Sequence, residues 1–494
     1  MWFTSTKKGW LPGLVLCTSL ALSACGGGKA GDDATTPDAL QQANALPASL
    51  PAVSEKPATD QEAARFLTQA TFGPTPADIA HLKSVGYSAW INEQLAQPLT
   101  TSHLQIANVR NAISGGKHQF NHSFWEKAIT APDQLRQRMA LALSEIFVVS
   151  FADACGANAG MGMGSYYDML STRTLGSYRS LLEAVTLHPI MGCYLSHLRN
   201  QKADTTTGRV PDENYAREVM QLFSIGLVQL NMDGTPTNVS NPVETYGPAD
   251  VSSLARVFTG FSWDCPEHQT QPEMCFKYWG GAPRPGHTDP WTVPMRAYAQ
   301  FHDGGAKTVL GKAIPAQTSP TESLRLALDI IASHANVAPF ISKQLIQRFV
   351  TSNPSPGYVA RVATAFKTSS GNLGATVKAV LMDPEARDMA ALDQPGFGKV
   401  REPLLRMSAL LRAFNATSAS GGFLIGETKE AVGGLNQGVL LAPSVFNFFR
   451  PGYTPPSSST SAAGLVAPEL QLAHESSMAG YASFMRDVIW AGNG

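Results

Sequence analysis

Asn214, Arg217, Glu218 and Gln221 stand at i, i+3, i+4 and i+7 of the stretch PDENYAREVMQLFSIG, residues 211–226. At 3.6 residues per turn this spacing places two amides, a guanidinium and a carboxylate on one helical stripe. Tyr215, Ala216, Val219, Met220, Leu222 and Phe223 flank the stripe on both sides, which predicts a buried helix. A charge on such a stripe must find partners, because an unpaired buried charge is very costly. The chemistry on offer is a base or ligand at Glu218, with Asn214 and Arg217 holding an anionic group. The alternative is a salt-bridge network that sets helix register, and for Arg217 that reading is preferred.

A second constellation is FHDGGAK, residues 301–307. His302 and Asp303 in a glycine turn can present an imidazole and a carboxylate to solvent or to a metal. Lys307 adds a cation, and Arg256 lies on a helix that could reach the Glu218 stripe. Adjacent residues need not point the same way, so a turn capped by Asp303 explains the pattern equally well. Taken together, these residues define one function class. It is a hydrolase or metal-dependent enzyme with Glu218, His302 and Asp303 as catalytic groups. Arg217, Asn214, Arg256 and Lys307 would bind substrate. No metal-ligand set is assigned and no cofactor is specified. Established signatures are missing: His474-Glu475 is not followed by a second zinc-spaced His, and there is no GxSxG elbow, P-loop, or GxGxxG between a strand and a helix. Whether the chain is an enzyme therefore stays open, and a non-catalytic binding protein of the cell envelope is the preferred class.

The elements that would position these groups are helices. Pro211 and Asp212 suit a first helical turn, and Gly226 suits the left-handed residue that closes one. Helical spacing also predicts elements over 61–70, 77–84, 87–96, 133–150, 177–187, 249–261, 321–333, 337–350, 358–367, 373–382, 400–414 and 469–491. Residues 263–316 break the pattern. They are rich in Pro, Gly, Trp and His and hold two cysteines, which predicts a stapled irregular excursion with a short hairpin. Trp263, Trp279 and Trp291 there could form a stacking surface for a sugar or partner, or a local core. The apolar, aromatic stretch 438–453 is interrupted by prolines and reads as a packed loop. The fold class is mainly α: a single large multi-helical domain over 61–494 with a long disulfide-pinned irregular excursion.

Residues 1–24 read as a lipoprotein signal. Lys7 and Lys8 precede an apolar run, and Leu22-Ser23-Ala24-Cys25 places small residues before the cysteine to be lipidated. An ordinary secretory signal is the alternative. The apolar run is too short for a spanning helix. Gly26 after the cysteine favours the outer membrane as the destination. Residues 25–60 form a lipidated Cys25 and a tether with almost no large apolar residues, with a reach of roughly 30 Å as a coil. Removing residues 1–24 leaves 35 Lys+Arg against 38 Asp+Glu, a net charge of −3, with no basic cluster and so no footprint for nucleic acid. With Cys25 lipidated, Cys155, Cys193, Cys265 and Cys275 remain. An even count in an oxidising compartment predicts two disulfides. Cys265–Cys275 with Cys155–Cys193 is the simplest of three connectivities, and a zinc site is the alternative.

The chain resembles the DUF1800 family of exported bacterial proteins. The residues that carry the resemblance are FLTQATFGPTPADI (66–79), HPIMGCYL (188–195), ENYAREVMQLFSIGL (213–227), DVSSLARVFTGFSW (250–263), FHDGGAKTVLG (301–311), HANVAPFISKQLIQRFV (334–350) and KVREPL (399–404). The set spans residues 61–453 in the family's order. Gln221 departs from it, standing where a Glu is common. The resemblance implies a helical fold and an exported partner related to alkaline phosphatases, and it implies no reaction.

Overall fold

A computed structural model describes residues 53–109, 116–153, 155, 159–278, 288–419 and 421–490. The expected signal peptide, Cys25, most of the tether and Trp279 lie outside the described residues. The tail of the tether is already docked: the Glu55 carbonyl accepts the Tyr87 N–H at 3.0 Å and Pro57 is buried.

The described chain is helical almost throughout. In order come α1 (Asp60–Ala70), α2 (Pro76–Val85), α3 (Tyr87–Ala96), α4 (His103–Val109), α5 (Gly116–Thr130), α6 (Gln134–Ser144), α7 (Gly160–Arg173), α8 (Tyr178–Leu187), α9 (Pro189–Tyr194), α10 (Asn214–Gln221) and α11 (Pro248–Val257). After the irregular excursion, with its short α12 (Pro272–Tyr278), follow α13 (Pro320–Ala332), α14 (Val337–Phe349), α15 (Pro356–Thr368), α16 (Leu373–Met382), α17 (Pro384–Arg387), α18 (Pro403–Ala413), α19 (Ser459–Ala462) and α20 (Glu475–Trp490). Many starts are written locally. Thr75 and Asp78 form a reciprocal capping box, and Ser319, Ser355 and Asn372 each accept a first-turn N–H. Proline occupies the first turn of α2, α11, α13, α15 and α18, where its missing N–H is harmless.

Several expectations are corrected. α10 begins at Asn214, so Pro211 and Asp212 precede it, and the Asp212 carboxylate accepts the Asn214 N–H at 2.9 Å. Gly226 does take the left-handed conformation (φ +70°), its N–H bonding to the Met220 carbonyl. A Cβ there would meet the Phe340 ring at 2.8 Å, so glycine lets that ring pack on the turn. α6 stops at Ser144, and the next residues run on as buried irregular chain. The C-terminal helix starts at Glu475, after a 3₁₀ turn over Pro468–Leu472. Helices α4, α5, α7 and α9 were not predicted; the glycines of GMGMGSYYDMLSTR obscure α7.

Among the described residues the excursion and the chain leading into it hold two minimal sheets, both antiparallel: β1 (Phe261–Ser262) with β2 (Arg296–Ala297), and the hairpin β3 (Lys307–Val309) with β4 (Lys312–Ile314). Both expected disulfides form, Cys155–Cys193 and Cys265–Cys275, with Cα separations of 6.0 and 5.5 Å. Among the described residues no single helix is long and apolar enough to cross a membrane. The core runs through the whole chain, and α6 lies wholly inside it: every residue from Gln134 to Ser144 is buried, Arg136 and Arg138 included. α14 is nearly as enclosed and buries Gln344, Gln347 and Arg348. These two helices carry charge into the core, and the site follows from that.

Candidate functional site

A cleft of about 670 Å³ opens between three segments. Gln221, Leu222 and the chain from Gly226 to Leu230 form one wall, and Phe446, Phe449 and Arg450 the other. The floor is Glu145, at the C-terminus of α6, with Gln344, Gln347 and Arg348 from α14. Gln344 and Arg348 are at i, i+4 and so share a helix face.

Behind this floor is a sealed charge cluster. Arg348 lies with its Nε 3.3 Å from a Glu145 carboxylate oxygen and donates through Nη2 to the Glu145 carbonyl at 3.0 Å. Arg138 donates to the Arg348 carbonyl at 2.5 Å and stacks its guanidinium 4.7 Å from the Phe349 ring. Lys399 donates to the same carbonyl at 3.0 Å and pairs with Glu469 at 2.7 Å, both side chains 2% exposed. Glu402 stands just before α18 and accepts from Gln437 at 2.5 Å, and Gln437 accepts the Leu404 N–H. Arg401 is partly buried, with its Nη1 enclosed, near Arg138, Glu402 and Glu469, and desolvation pulls its guanidinium down to about 10.

The carboxyls of Glu145 and Glu402 act on each other inside this cluster, and no protein donor bonds to either Glu145 carboxylate oxygen. Two ionised carboxylates held together in a dry interior repel, which disfavours charge on both. Burial, then the Glu402 charge, push Glu145 well above the usual carboxylate range, against the pull of Arg348. Burial also works to raise Glu402, but the Glu145 carboxyl and the Lys399 and Arg138 charges outweigh it and hold Glu402 below that range. The two are thereby driven apart, Glu145 towards the neutral form and Glu402 towards the anion. The cluster then holds four cations (Arg138, Arg348, Lys399, Arg401) against the carboxylates of Glu402 and Glu469.

The residues singled out in the sequence fall elsewhere and divide into two groups. Asn214 and Arg217 are exposed on the outer face of α10, and Arg217 pairs with Glu213 at 3.4 Å, both about half exposed. The stripe is thus mostly a solvated face rather than a buried one: α10 buries Tyr215, Ala216, Val219 and Met220 and turns Asn214 and Arg217 outward. Glu218 alone of the charged stripe is buried, with one carboxylate oxygen unpartnered; burial raises it and Arg217 opposes. Arg256, His302, Asp303 and Lys307 do come together. Asp303 pairs with Arg256 at 2.8 Å and accepts the Gly305 N–H at 2.9 Å, while Lys307 donates to the Asp303 carbonyl at 2.5 Å and the Gly305 carbonyl at 3.1 Å. His302 donates from Nδ1 to the Thr259 carbonyl at 2.8 Å, and burial lowers its basicity, so the ring is neutral. The groups around Glu218 (Arg217, Tyr194, Tyr246) and those around His302 (Thr259, Arg256, Asp303, Lys307) have no member in common. These contacts support the glycine turn as a folding device that ties β3 to α11. Asp250, at the start of α11, likewise caps its own helix and accepts the Leu310 N–H at 2.8 Å. Among the described residues Cys265, Glu267 and Cys275 are close enough to hold a metal, but the two sulfurs are bonded to each other.

A family model described as protein of unknown function (DUF1800) matches residues 65–490. The chain belongs to the DUF1800 family. No curated protein and no solved structure matches it. In this DUF1800 protein three of the seven stretches that carried the resemblance meet at the cleft: 213–227 supplies a wall, 334–350 the floor, and 399–404 the buried carboxylate and cations beneath it. Glu145, Arg138, Arg348, Lys399, Arg401, Glu402 and Glu469 were not singled out from the sequence. A signal for two of them was present: Arg138 and Glu145 are seven residues apart on a helix whose other positions are largely apolar.

Proposed function

We propose that this DUF1800 protein is an exported, lipid-anchored protein of the bacterial envelope that binds a segment of another exported protein in the cleft. The observation that carries the reading is the cleft itself. Its volume lies in the range of ligand sites, its walls are apolar, and its floor bears a few convergent polar groups. Export draws support from the signal-like residues 1–24 and from two disulfides, which persist in an oxidising compartment. Lipidation at Cys25 and a tether place the cleft within reach of the outer membrane, and the family resemblance suggests an alkaline-phosphatase-like protein as the partner. A photo-crosslinking residue at Phe446 in living cells tests this, with Phe414, which is exposed away from the cleft, as the control. The expected result is an adduct with one exported protein from position 446 and none from 414. An adduct with a surface polymer would replace the partner class, and equal labelling from both positions would sink the reading. Cys25→Ser should move the protein out of the membrane fraction.

A further inference from the structure

The ionisable groups that line the cleft divide by exposure. Glu145 and Arg348 are enclosed in the floor and face each other. Lys343 and Arg450 are exposed, and neither makes an ion pair among the described residues. The Arg450 guanidinium lies 4.6 Å from the Phe446 ring, which holds it against the cleft wall. Lys343 runs its stem past Gly234. Desolvation lowers its basicity and Asp233 opposes this, but Asp233 gives a carboxylate oxygen to the Thr235 N–H and hydroxyl. The apolar lining continues outward into water. Leu227 lines the cleft and is 54% exposed, and the neighbouring segment, whose Thr245 N–H bonds to the Leu227 carbonyl, adds Val243 at 43%. An apolar lip rimmed by charge marks a surface that a partner covers.

We propose that the occupant of the cleft is a segment of an exported protein that is apolar in its middle and acidic at its ends, its carboxylates pairing with Arg450 and Lys343 at the mouth. The inference rests on the cleft as the binding site and adds the charge and polarity of the segment that fills it. The apolar walls supply affinity by burying the middle of the segment. The two cations stay in contact with water, so each pair contributes modestly to affinity. Their larger effect is on selection: they steer an acidic segment in and turn a basic one away. Leu227 extends the contact beyond the cavity, which suits a chain rather than a small molecule. The aliphatic walls at Leu222, Val228 and Leu230 offer a sugar no hydrogen bonds, which favours a peptide over an anionic polysaccharide.

Fluorescence anisotropy with the full chain tests this with three labelled peptides. They share one apolar core of leucine, valine and phenylalanine and end in aspartates, serines or lysines. At low salt the acidic peptide is expected to bind about three- to tenfold more tightly than the serine peptide, the yield of two solvent-exposed ion pairs, with the lysine peptide weakest. Salt at about 0.5 M should erase most of the difference. Arg450→Gln combined with Lys343→Gln should bring the acidic peptide to the affinity of the serine peptide and leave the serine peptide unchanged. Leu227→Ser should weaken all three alike. These three positions are exposed, so the variants keep the fold, which thermal melts check. Equal binding of the three peptides, or an acidic preference that survives the double substitution, overturns the inference. If no peptide binds, the crosslink from Phe446 decides. A yield that falls in the double variant supports the acidic segment, whereas an unchanged yield overturns it and leaves the cleft reading standing. Acid-selective binding without any crosslink keeps the charge rule and removes the exported partner.

Discussion

Glu145→Gln is the perturbation that speaks most directly to the buried cluster. Glutamine copies the protonated carboxyl in shape and cannot ionise. In the wild type, burial raises Glu145, so the folded chain keeps a proton that the unfolded chain releases above the ordinary carboxylate range. Stability is therefore fully present below that range and falls as pH rises towards the raised value. One retained proton corresponds to a slope of about 1.4 kcal/mol per pH unit. Glu402 works in the opposite sense: its lowered value adds stability above the ordinary range, and this is lost only as pH falls through it. The charged groups that face the pair are Arg138 from α6, Arg348 from α14, Lys399 and Glu469. Urea unfolding followed by circular dichroism, with the disulfides kept oxidised, should show wild type and Glu145→Gln diverging as pH rises above the ordinary carboxylate range, by up to about 1.4 kcal/mol per pH unit, with the variant the flatter. Parallel pH profiles would refute the raised Glu145 carboxyl. So would a loss of about 3–5 kcal/mol in Glu145→Gln, the cost of breaking a buried ion pair.

Other outcomes follow from the same contacts. Glu402→Gln should be mild, because Glu145 then ionises in its place. The double variant with Glu145→Gln leaves four cations facing Glu469 alone and should cost about 3–5 kcal/mol, far from the sum of the singles in a double-mutant cycle. Serine pairs at the disulfides should differ in cost: the 38-residue separation of Cys155–Cys193 predicts about 4 kcal/mol and the 10-residue separation of Cys265–Cys275 about 3 kcal/mol, read from denaturation midpoints. Gly73→Ala should destabilise by about 3 kcal/mol or more, since Gly73 has φ +132° and a Cβ there would strike the backbone of Ala409 on α18; thermal melts check it. Arg256→Ala with Asp303→Ala should show a coupling of about 1 kcal/mol, as the pair is only partly exposed, and neither should change ligand binding at the cleft.

Much of the architecture was legible because it is local. Apolar spacing, first-turn prolines and capping side chains act within a few residues, so α1, α3, α8, α13, α14 and α16 were placed within a residue or two at each end. Four cysteines left in an oxidising compartment were enough to anticipate two bridges. The stretch 211–226 also deserved its prominence, but for its last third: Gln221, Leu222 and Gly226 line the cleft, whereas Arg217 points to solvent. Which face of a short amphipathic helix is covered depends on what packs against it, and apolar residues on both flanks left that choice open. The charge cluster was beyond reach for a related reason. Arg138 and Glu145 bond to Arg348 across 210 and 203 residues, and Glu402, Lys399 and Glu469 arrive from segments further along the chain. A lone Arg on an apolar helix has no assigned partner until the helices dock. Sequence alone determined the helical class and anticipated a stapled excursion and two disulfides, while the fold decided which cysteines pair. Only the tertiary fold decided that seven ionisable side chains would gather under a cleft, because their energies depend on distance and dielectric, and neither exists until distant segments meet.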